Sequence, residues 1–327
     1  MESPTFETRP QRVALGALFI VFAVFLMAVQ DAAIKLASSE ITLWQLYVLR
    51  GLFAVPLLLA IAWFKGTAAA SLARAFGTWP LLRAGLLVLM YISIYAALPV
   101  LPLAVVAGGM YTSPLFIALF SALLIGEPVR PAGWGAVLLG TLGVMLILKP
   151  GADAFTPVAL LPVLAGVFYA LAAILTRSRC HTQSPLSLAL SLNMALLATG
   201  LMASLGVLLW QPGAAETAVS PFLLSAWAEL QGEDWALIAL LAVLIVGIGV
   251  GLAAAYQVAP PTVVATFDFS YLLFATLLGY ALFSEIPDQL TVAGMVLIAG
   301  AGLIVMTGAK PERAKDARFQ AKLPSRP

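Results

Sequence analysis

One carboxylate interrupts an otherwise apolar stretch. Asp268, in ATFDFSYLLF (residues 265–274), is the only charged residue between Pro261 and Ser284. A charged side chain in hydrocarbon costs roughly 3 kcal/mol on insertion scales. Asp268 is therefore either satisfied internally by hydroxyls or backbone, or faces a wet cavity. In a cavity it can bind a substrate ammonium or take up a proton. Tyr271 follows three residues on, about one helical turn away, so an acid and an aromatic ring share one face. Arg50, in LYVLRGLFAV, lies deep in a second apolar run. Its guanidinium can hold a carboxylate through two parallel hydrogen bonds. It can equally clamp neighbouring helices. Tyr95, Tyr111 and Tyr169 fall within apolar runs, away from the interfacial belt where tyrosine is usual. A buried phenol needs a partner or water, so these three either line a cavity or pack in a core. The candidate substrate contacts are thus Asp268, Tyr111, Tyr95, Tyr271, Tyr169 and Arg50.

Four further residues read as moving parts. Pro114, in TSPLF, frees backbone carbonyls and can hinge a helix. Gly247 and Gly251, in GIGVG, form a small-residue face suited to close packing or bending. Asp31 and Lys35 stand at i and i+4 near the end of the first apolar run. A local surface pair is the direct reading; an outer gate is the alternative.

Other chemistries lack their residues. One cysteine (Cys180) and one histidine (His181) support no disulfide framework, metal site or catalytic triad. GIGVG has no preceding strand and no Gly-Lys-Ser/Thr, so it is no nucleotide loop. No cofactor is expected.

The elements that position the candidates are membrane helices. Of 327 residues, 62% are hydrophobic and 10% charged, where a soluble domain has about 25% charged. Mean hydropathy is +1.03. Apolar windows of about 18–25 residues give ten spans, near 12–31, 42–64, 80–101, 104–125, 131–149, 156–176, 184–210, 235–257, 261–284 and 289–308. With both termini in the cytoplasm, that side receives Lys65, Arg74, Arg83, Arg130, Arg177, Arg179 and the basic tail 309–327. The outside receives Lys35 and Lys149, as the positive-inside tendency requires. The tail reads as a solvated end with no support for nucleic-acid binding.

Residues 104–148 and 262–307 resemble one another. Pro102 matches Pro260, Val105-Val106-Ala107 matches Val263-Val264-Ala265, Phe116 matches Phe274 and Glu127 matches Glu285. After one added loop residue, Gly135 and Gly143 match Gly294 and Gly302. The unit is five helices used twice: 12–149 and 156–308. An odd number of spans per unit inverts the second copy, the arrangement of carriers with a midplane site between halves. Asp268 aligns with Met110, so the halves share a scaffold and differ in chemistry.

These segments, YTSPLFIALFSALLIGEPVRPAGWGAVLLGTLGV and FDFSYLLFATLLGYALFSEIPDQLTVAGMVLIAGAG, resemble the drug/metabolite transporter superfamily, specifically its EamA branch. Arg50 matches the family's arginine in the second helix. Asn193 stands at the corresponding place in the second copy, and Ser284 replaces the glycine before the glutamate. The resemblance implies an all-α carrier of ten helices in the bacterial inner membrane, not an enzyme, that exports small metabolites by alternating access. The YddG-like exporters of aromatic amino acids are the nearest member type. Expected partners are a small-molecule substrate and membrane lipid, with proton coupling left open. Export of other solutes or cationic drugs is the same-fold alternative. A lipid-modifying membrane enzyme is the alternative of another class; it calls for clustered catalytic residues at one interface, which the sequence lacks.

Overall fold

The computed structural model describes residues 13–120, 123–124, 131–149, 156–180, 182–258, 267 and 270–308. Asp268 lies outside the described residues, as do Glu127, the segment 259–266 and the tail. The helices in chain order are α1 (Val13–Ala37), α2 (Leu43–Phe64), α3 (Ala68–Ala75), α4 (Thr78–Ala97), α5 (Leu103–Met110), α6 (Ser113–Phe120) and α7 (Pro131–Leu148). They continue as α8 (Leu160–Arg179), α9 (Pro185–Trp210), α10 (Ala214–Val219), α11 (Pro221–Leu224), α12 (Gly232–Val258), α13 (Ser270–Phe283) and α14 (Gln289–Gly308). Among the described residues, six helices are long and apolar enough to cross a membrane, and four shorter apolar stretches lie at 103–117, 138–147, 270–283 and 289–301.

Polar residues mark where helices start. The Thr42 hydroxyl accepts from the Gln45 N–H at the start of α2, and Ser184 accepts from Ser187 N–H ahead of Pro185 in α9. The Asp288 carboxylate accepts from Thr291 N–H at 2.8 Å to begin α14. Each satisfies a backbone donor the helix leaves free.

The helices have apolar surfaces all round. Phe22, Leu138 and Met202 are exposed, while Ala23, Ala54, Ala84, Ala97 and Ala165 are fully buried. Ile20, Ile34, Leu43, Leu46 and Leu190 are fully buried too, so large apolar residues both fill the core and face outward, as in helices that span lipid. α1 packs on α12 and α13, α4 on α8 and α9, α2 on α9 and α12, and α7 on α14. Glycines permit the closest crossings. A Cβ at Gly143 would lie 2.7 Å from the Gly294 carbonyl, and one at Gly294 would lie 2.6 Å from the Gly143 carbonyl. Gly247 and Gly251 face Leu26 and Ala23 of α1, as a packing face should. Gly135, which the repeat pairs with Gly294, is by contrast exposed and has room for a side chain.

Two spans differ from their sequence outlines. α1 continues to Ala37, so Asp31 and Lys35 lie within the helix. The fourth span is cut at Tyr111–Thr112 into α5 and α6. Pro114 is the second residue of α6, so it sits in a first turn, where its missing N–H removes no helix bond. The break is held by the Thr112 hydroxyl donating to Gly109 O at 2.7 Å. It rests on α8 at Gly166, where a Cβ would lie 2.7 Å from Thr112 Oγ1.

The bundle has two chemically distinct ends. At one, the ends of α1, α4, α7 and α13 meet the starts of α2 and α14. There Lys35 pairs with Glu285, Lys149 pairs with Asp288, and Gln45 exchanges hydrogen bonds with Ala228. This end also carries Glu40, Glu216, Glu229, Glu233 and Asp234. At the other end Arg83 donates to Thr176 Oγ1 at 2.7 Å, and Arg179 lies over the Trp79 ring. Lys65 and Arg74 complete it, and no carboxylate among the described residues is found there.

Candidate functional site

The polar residues of the interior converge where the later parts of α1 and α4 meet the first part of α2, nearer the acidic end. Arg50 is 1% exposed. Its guanidinium lies 5.6 Å from the centre of the Tyr47 ring, and the hydroxyls of Tyr47, Tyr91 and Tyr95 are within electrostatic reach. Neither Arg50 Nη1 nor Nη2 has a hydrogen-bond partner. The Tyr47 hydroxyl, Gln30 Oε1 and, on α9, Ser191 Oγ are also buried without partners. Gln30 Nε2 donates to the Tyr95 hydroxyl at 3.2 Å. The Tyr47, Tyr91 and Tyr95 rings form a chain, with Tyr95 centred 6.1 Å from Tyr47 and 5.5 Å from Tyr91.

The next residue of α1, Asp31, faces α13. Its carboxylate accepts a short hydrogen bond, 2.5 Å, from the Tyr271 hydroxyl. The Tyr271 ring stacks on Tyr111, centroids 5.5 Å apart, at the break between α5 and α6. Asp31 and Arg50 feel one another's charge without forming an ion pair. The site thus holds one buried cation and one buried anion, separately placed, with five tyrosines between and around them.

Buried charges are costly unless paired, and buried polar atoms are almost always hydrogen-bonded. An Arg fork with both terminal nitrogens open matches a carboxylate's two oxygens. Aromatic faces beside it suit a planar ring or a cation. Among the described residues no group of three His, Cys, Asp or Glu side chains is arranged to hold a metal ion.

Of the residues named from sequence, Arg50, Tyr95, Tyr111 and Tyr271 fall in this cluster. Tyr169 lies toward the basic end, near Arg83, with its side chain 39% exposed. The local Asp31–Lys35 pair is corrected: Asp31 bonds Tyr271, and Lys35 reaches Glu285 and the Leu101 carbonyl. Helical spacing brought the two side chains onto one face, but tertiary partners outcompete the turn. Glu285 also accepts from Leu103 N–H at 2.8 Å, at the start of α5. Tyr47 and Gln30 were not singled out from sequence as site residues; Tyr47 lies three residues before Arg50, which is the signal that points to it.

A model of the EamA-like transporter family matches residues 14–149. A pseudopaline exporter of Pseudomonas aeruginosa is 30% identical over 288 residues, covering 86% of this chain and 93% of the relative. The chain belongs to the EamA-like transporter family. It is accordingly an integral membrane transporter of the drug/metabolite transporter superfamily rather than an enzyme. A riboflavin transporter of Rhizobium johnstonii is 28% identical over 324 residues, 97% of this chain and 99% of the relative. An S-adenosylmethionine uptake transporter of Rickettsia bellii is 22% identical over 303 residues, 92% of this chain and 97% of the relative. A solved crystal structure matches with TM-score 0.58 and 19% identity, covering 91% of this chain and 97% of that one; that likeness concerns the fold alone. The EamA-like transporters named here carry small molecules, two of them by names that state opposite directions.

Proposed function

We propose that this EamA-like transporter is a secondary carrier of small metabolites that join an aromatic ring to a carboxylate, aromatic amino acids being the simplest, and that it exports them from a bacterial cell. The observation that carries the reading is the fully buried Arg50 fork, open at both terminal nitrogens inside a tyrosine cage. A substrate carboxylate takes the fork, its ring lies among Tyr47, Tyr91 and Tyr95, and an ammonium is drawn toward Asp31. Asp268 remains a candidate for the same ammonium or for a coupled proton.

The carrier works by alternating access between two inverted five-helix repeats, 12–149 and 156–308. Packing partners support this. Exchanging the halves turns α1 on α12 into α8 on α4, and α1 on α13 into α8 on α5 and α6. It turns α2 on α12 into α9 on α4, and leaves α2 on α9 and α7 on α14 as themselves. Directions also oppose: α1 ends at the acidic end, and α8 ends at the basic end. Six long helices and four shorter apolar stretches among the described residues support a reading of ten passes. The excess of basic residues at one end makes that end cytoplasmic, with both termini there and the inner membrane as its location. The Lys35–Glu285 and Lys149–Asp288 pairs close the outer end. Pro114, Gly247 and Gly251 remain candidate hinges.

A second reading is favoured by the nearly full-length match to a riboflavin transporter: a neutral, flavin-like ring system. Counterflow in proteoliposomes loaded with tryptophan, phenylalanine or riboflavin separates the two. Saturable exchange of an aromatic amino acid that collapses in Arg50→Lys supports the first reading. Exchange of riboflavin alone, indifferent to Arg50→Lys, replaces it with the second. No saturable exchange of any of the three overturns both.

A further inference from the structure

Away from the central cluster, a cavity of about 450 Å³ opens at the basic end, between α2, α3, α9 and α12. Its inner wall is mostly apolar: Leu58 of α2, Leu186 and Ala189 of α9, and Ile245, Val246 and Val250 of α12, with Asn193 as a polar exception whose amide donates to the Ala189 carbonyl at 3.0 Å. Its mouth carries Lys65, just past α2, and Arg74 on α3. From Leu58 to Lys65 is seven residues of helix, or about 10 Å of depth at 1.5 Å per residue. Lys65 and Arg74 are exposed, and neither forms an ion pair with a carboxylate among the described residues. Three short hydroxyl side chains, Thr67, Ser71 and Ser184, also line the cavity.

The cavity therefore has the layout of an amphiphile with an anionic head. Its apolar walls come from the membrane-spanning lengths of three helices, and its cations stand at the level where those helices leave the membrane. A soluble anion has no use for the apolar depth, and a neutral lipid has no use for two unpaired cations. Basic pockets between membrane helices hold anionic lipid headgroups by this combination. Gly249 keeps the wall open: it lines the cavity, and a Cβ built there meets nothing within 4 Å.

We propose that this cavity is a binding site for one anionic phospholipid, with its phosphate between Lys65 and Arg74 and an acyl chain against Leu58, Ile245 and Val246. The occupant is a membrane lipid, distinct from the transported solute, and the site stands whichever substrate the central cluster takes. α3, packed on α9 and α2, brings Arg74 to the cavity mouth.

Native mass spectrometry and thermal unfolding of the full chain in detergent, with added phosphatidylglycerol, phosphatidylcholine or sn-glycerol 3-phosphate, test this. Phosphatidylglycerol is expected to be retained and to raise Tm more than phosphatidylcholine. The Lys65→Gln/Arg74→Gln pair is expected to weaken that retention roughly thirtyfold, from two cations near an anionic surface. Arg179→Gln, at the same end but outside the cavity, is expected to keep it. Gly249→Leu fills the apolar depth and leaves both cations in place, so it tests the chain seat even if the double variant unfolds; it is expected to expel the lipid. Equal retention of both lipids, equal loss in Arg179→Gln, or wild-type retention in Gly249→Leu overturns the proposal. Full competition by glycerol phosphate overturns it in favour of a soluble-anion site.

Discussion

The Tyr271 hydroxyl donates to the Asp31 carboxylate across 240 residues of chain, tying α13 to the later part of α1. One residue earlier on α1, Gln30 bonds Tyr95 on the side that holds Arg50. Asp31 and Gln30 thus join two polar sub-clusters through adjacent positions of one helix. Tyr271→Phe removes the donor and leaves the ring stacked on Tyr111. It is expected to slow exchange by roughly tenfold, the worth of one hydrogen bond to a charged group, measured by counterflow.

Arg50→Lys keeps the charge and loses the fork. Lysine is a point charge with no bidentate geometry. We expect KM for a carboxylate substrate to rise about tenfold to a hundredfold, the effect of a charge-assisted hydrogen bond of about 1.5–3 kcal/mol. Substrates lacking a carboxylate should be nearly indifferent. A uniform loss across both classes in uptake assays assigns Arg50 to helix clamping instead.

Lys35 and Glu285 bury most of their side chains, at 10% and 18% exposure. Removing one partner leaves the other poorly solvated, which costs about 3–5 kcal/mol for a buried pair. Lys35→Gln and Glu285→Gln are each expected to lower Tm in detergent and to increase labelling of a cysteine introduced between the ends of α1 and α13. The double variant should be less unstable than the sum of the two singles. Strict additivity in that double-mutant cycle denies the latch.

Ser284 adopts the left-handed conformation, φ 54°, between α13 and Glu285. Glu285 N–H returns to Gly279 O and Ser284 N–H to Tyr280 O, the bonds of a helix end that glycine favours. Ser284→Gly is expected to stabilise by about 1 kcal/mol by relieving the Cβ clash, read as a rise in Tm. The glycine that the family resemblance places before this glutamate has its physical reason here.

The Asp288 pKa is lowered from 3.8 to about 2, first by the Lys149 hydrogen bond and then by Thr291. The folded value is below the unfolded one, so the stabilisation is present above about pH 4 and disappears as pH falls toward 2. Asp288→Asn should lower Tm at pH 6 and match wild type near pH 2, in thermal scans across that range. Because the pair is exposed, the difference should also shrink with added salt.

Hydropathy alone placed most helices within a few residues, because membrane length and composition constrain each span by itself. α1 ran past its outline because Asp31 and Lys35 interrupt the apolar run while remaining helical; their partners are on α13 and the turn before α5. The cut at Tyr111–Thr112 was hinted only by Pro114, two residues late, since its support is Gly166 of another helix. Arg50, Tyr95, Tyr111 and Tyr271 were legible as polar or aromatic groups out of place. What local spacing could not give was pairing: Lys35 with Glu285 lies 250 positions apart, and Asp31 with Tyr271 nearly as far. Asp268 lies outside the described residues; Asp268→Asn, assayed for counterflow with and without a pH gradient, tests it, and unchanged transport with an unchanged pH response removes it from both roles.

The coat of exposed leucine and phenylalanine bears on how this protein melts. In a bilayer the coat stays in hydrocarbon whether or not the helices are together. Separating them therefore brings little apolar surface into water, and the heat-capacity increment that bends the stability curves of water-soluble domains is nearly missing. Calorimetry in lipid should give a free energy that declines almost linearly with temperature, with no cold-side maximum in the accessible range.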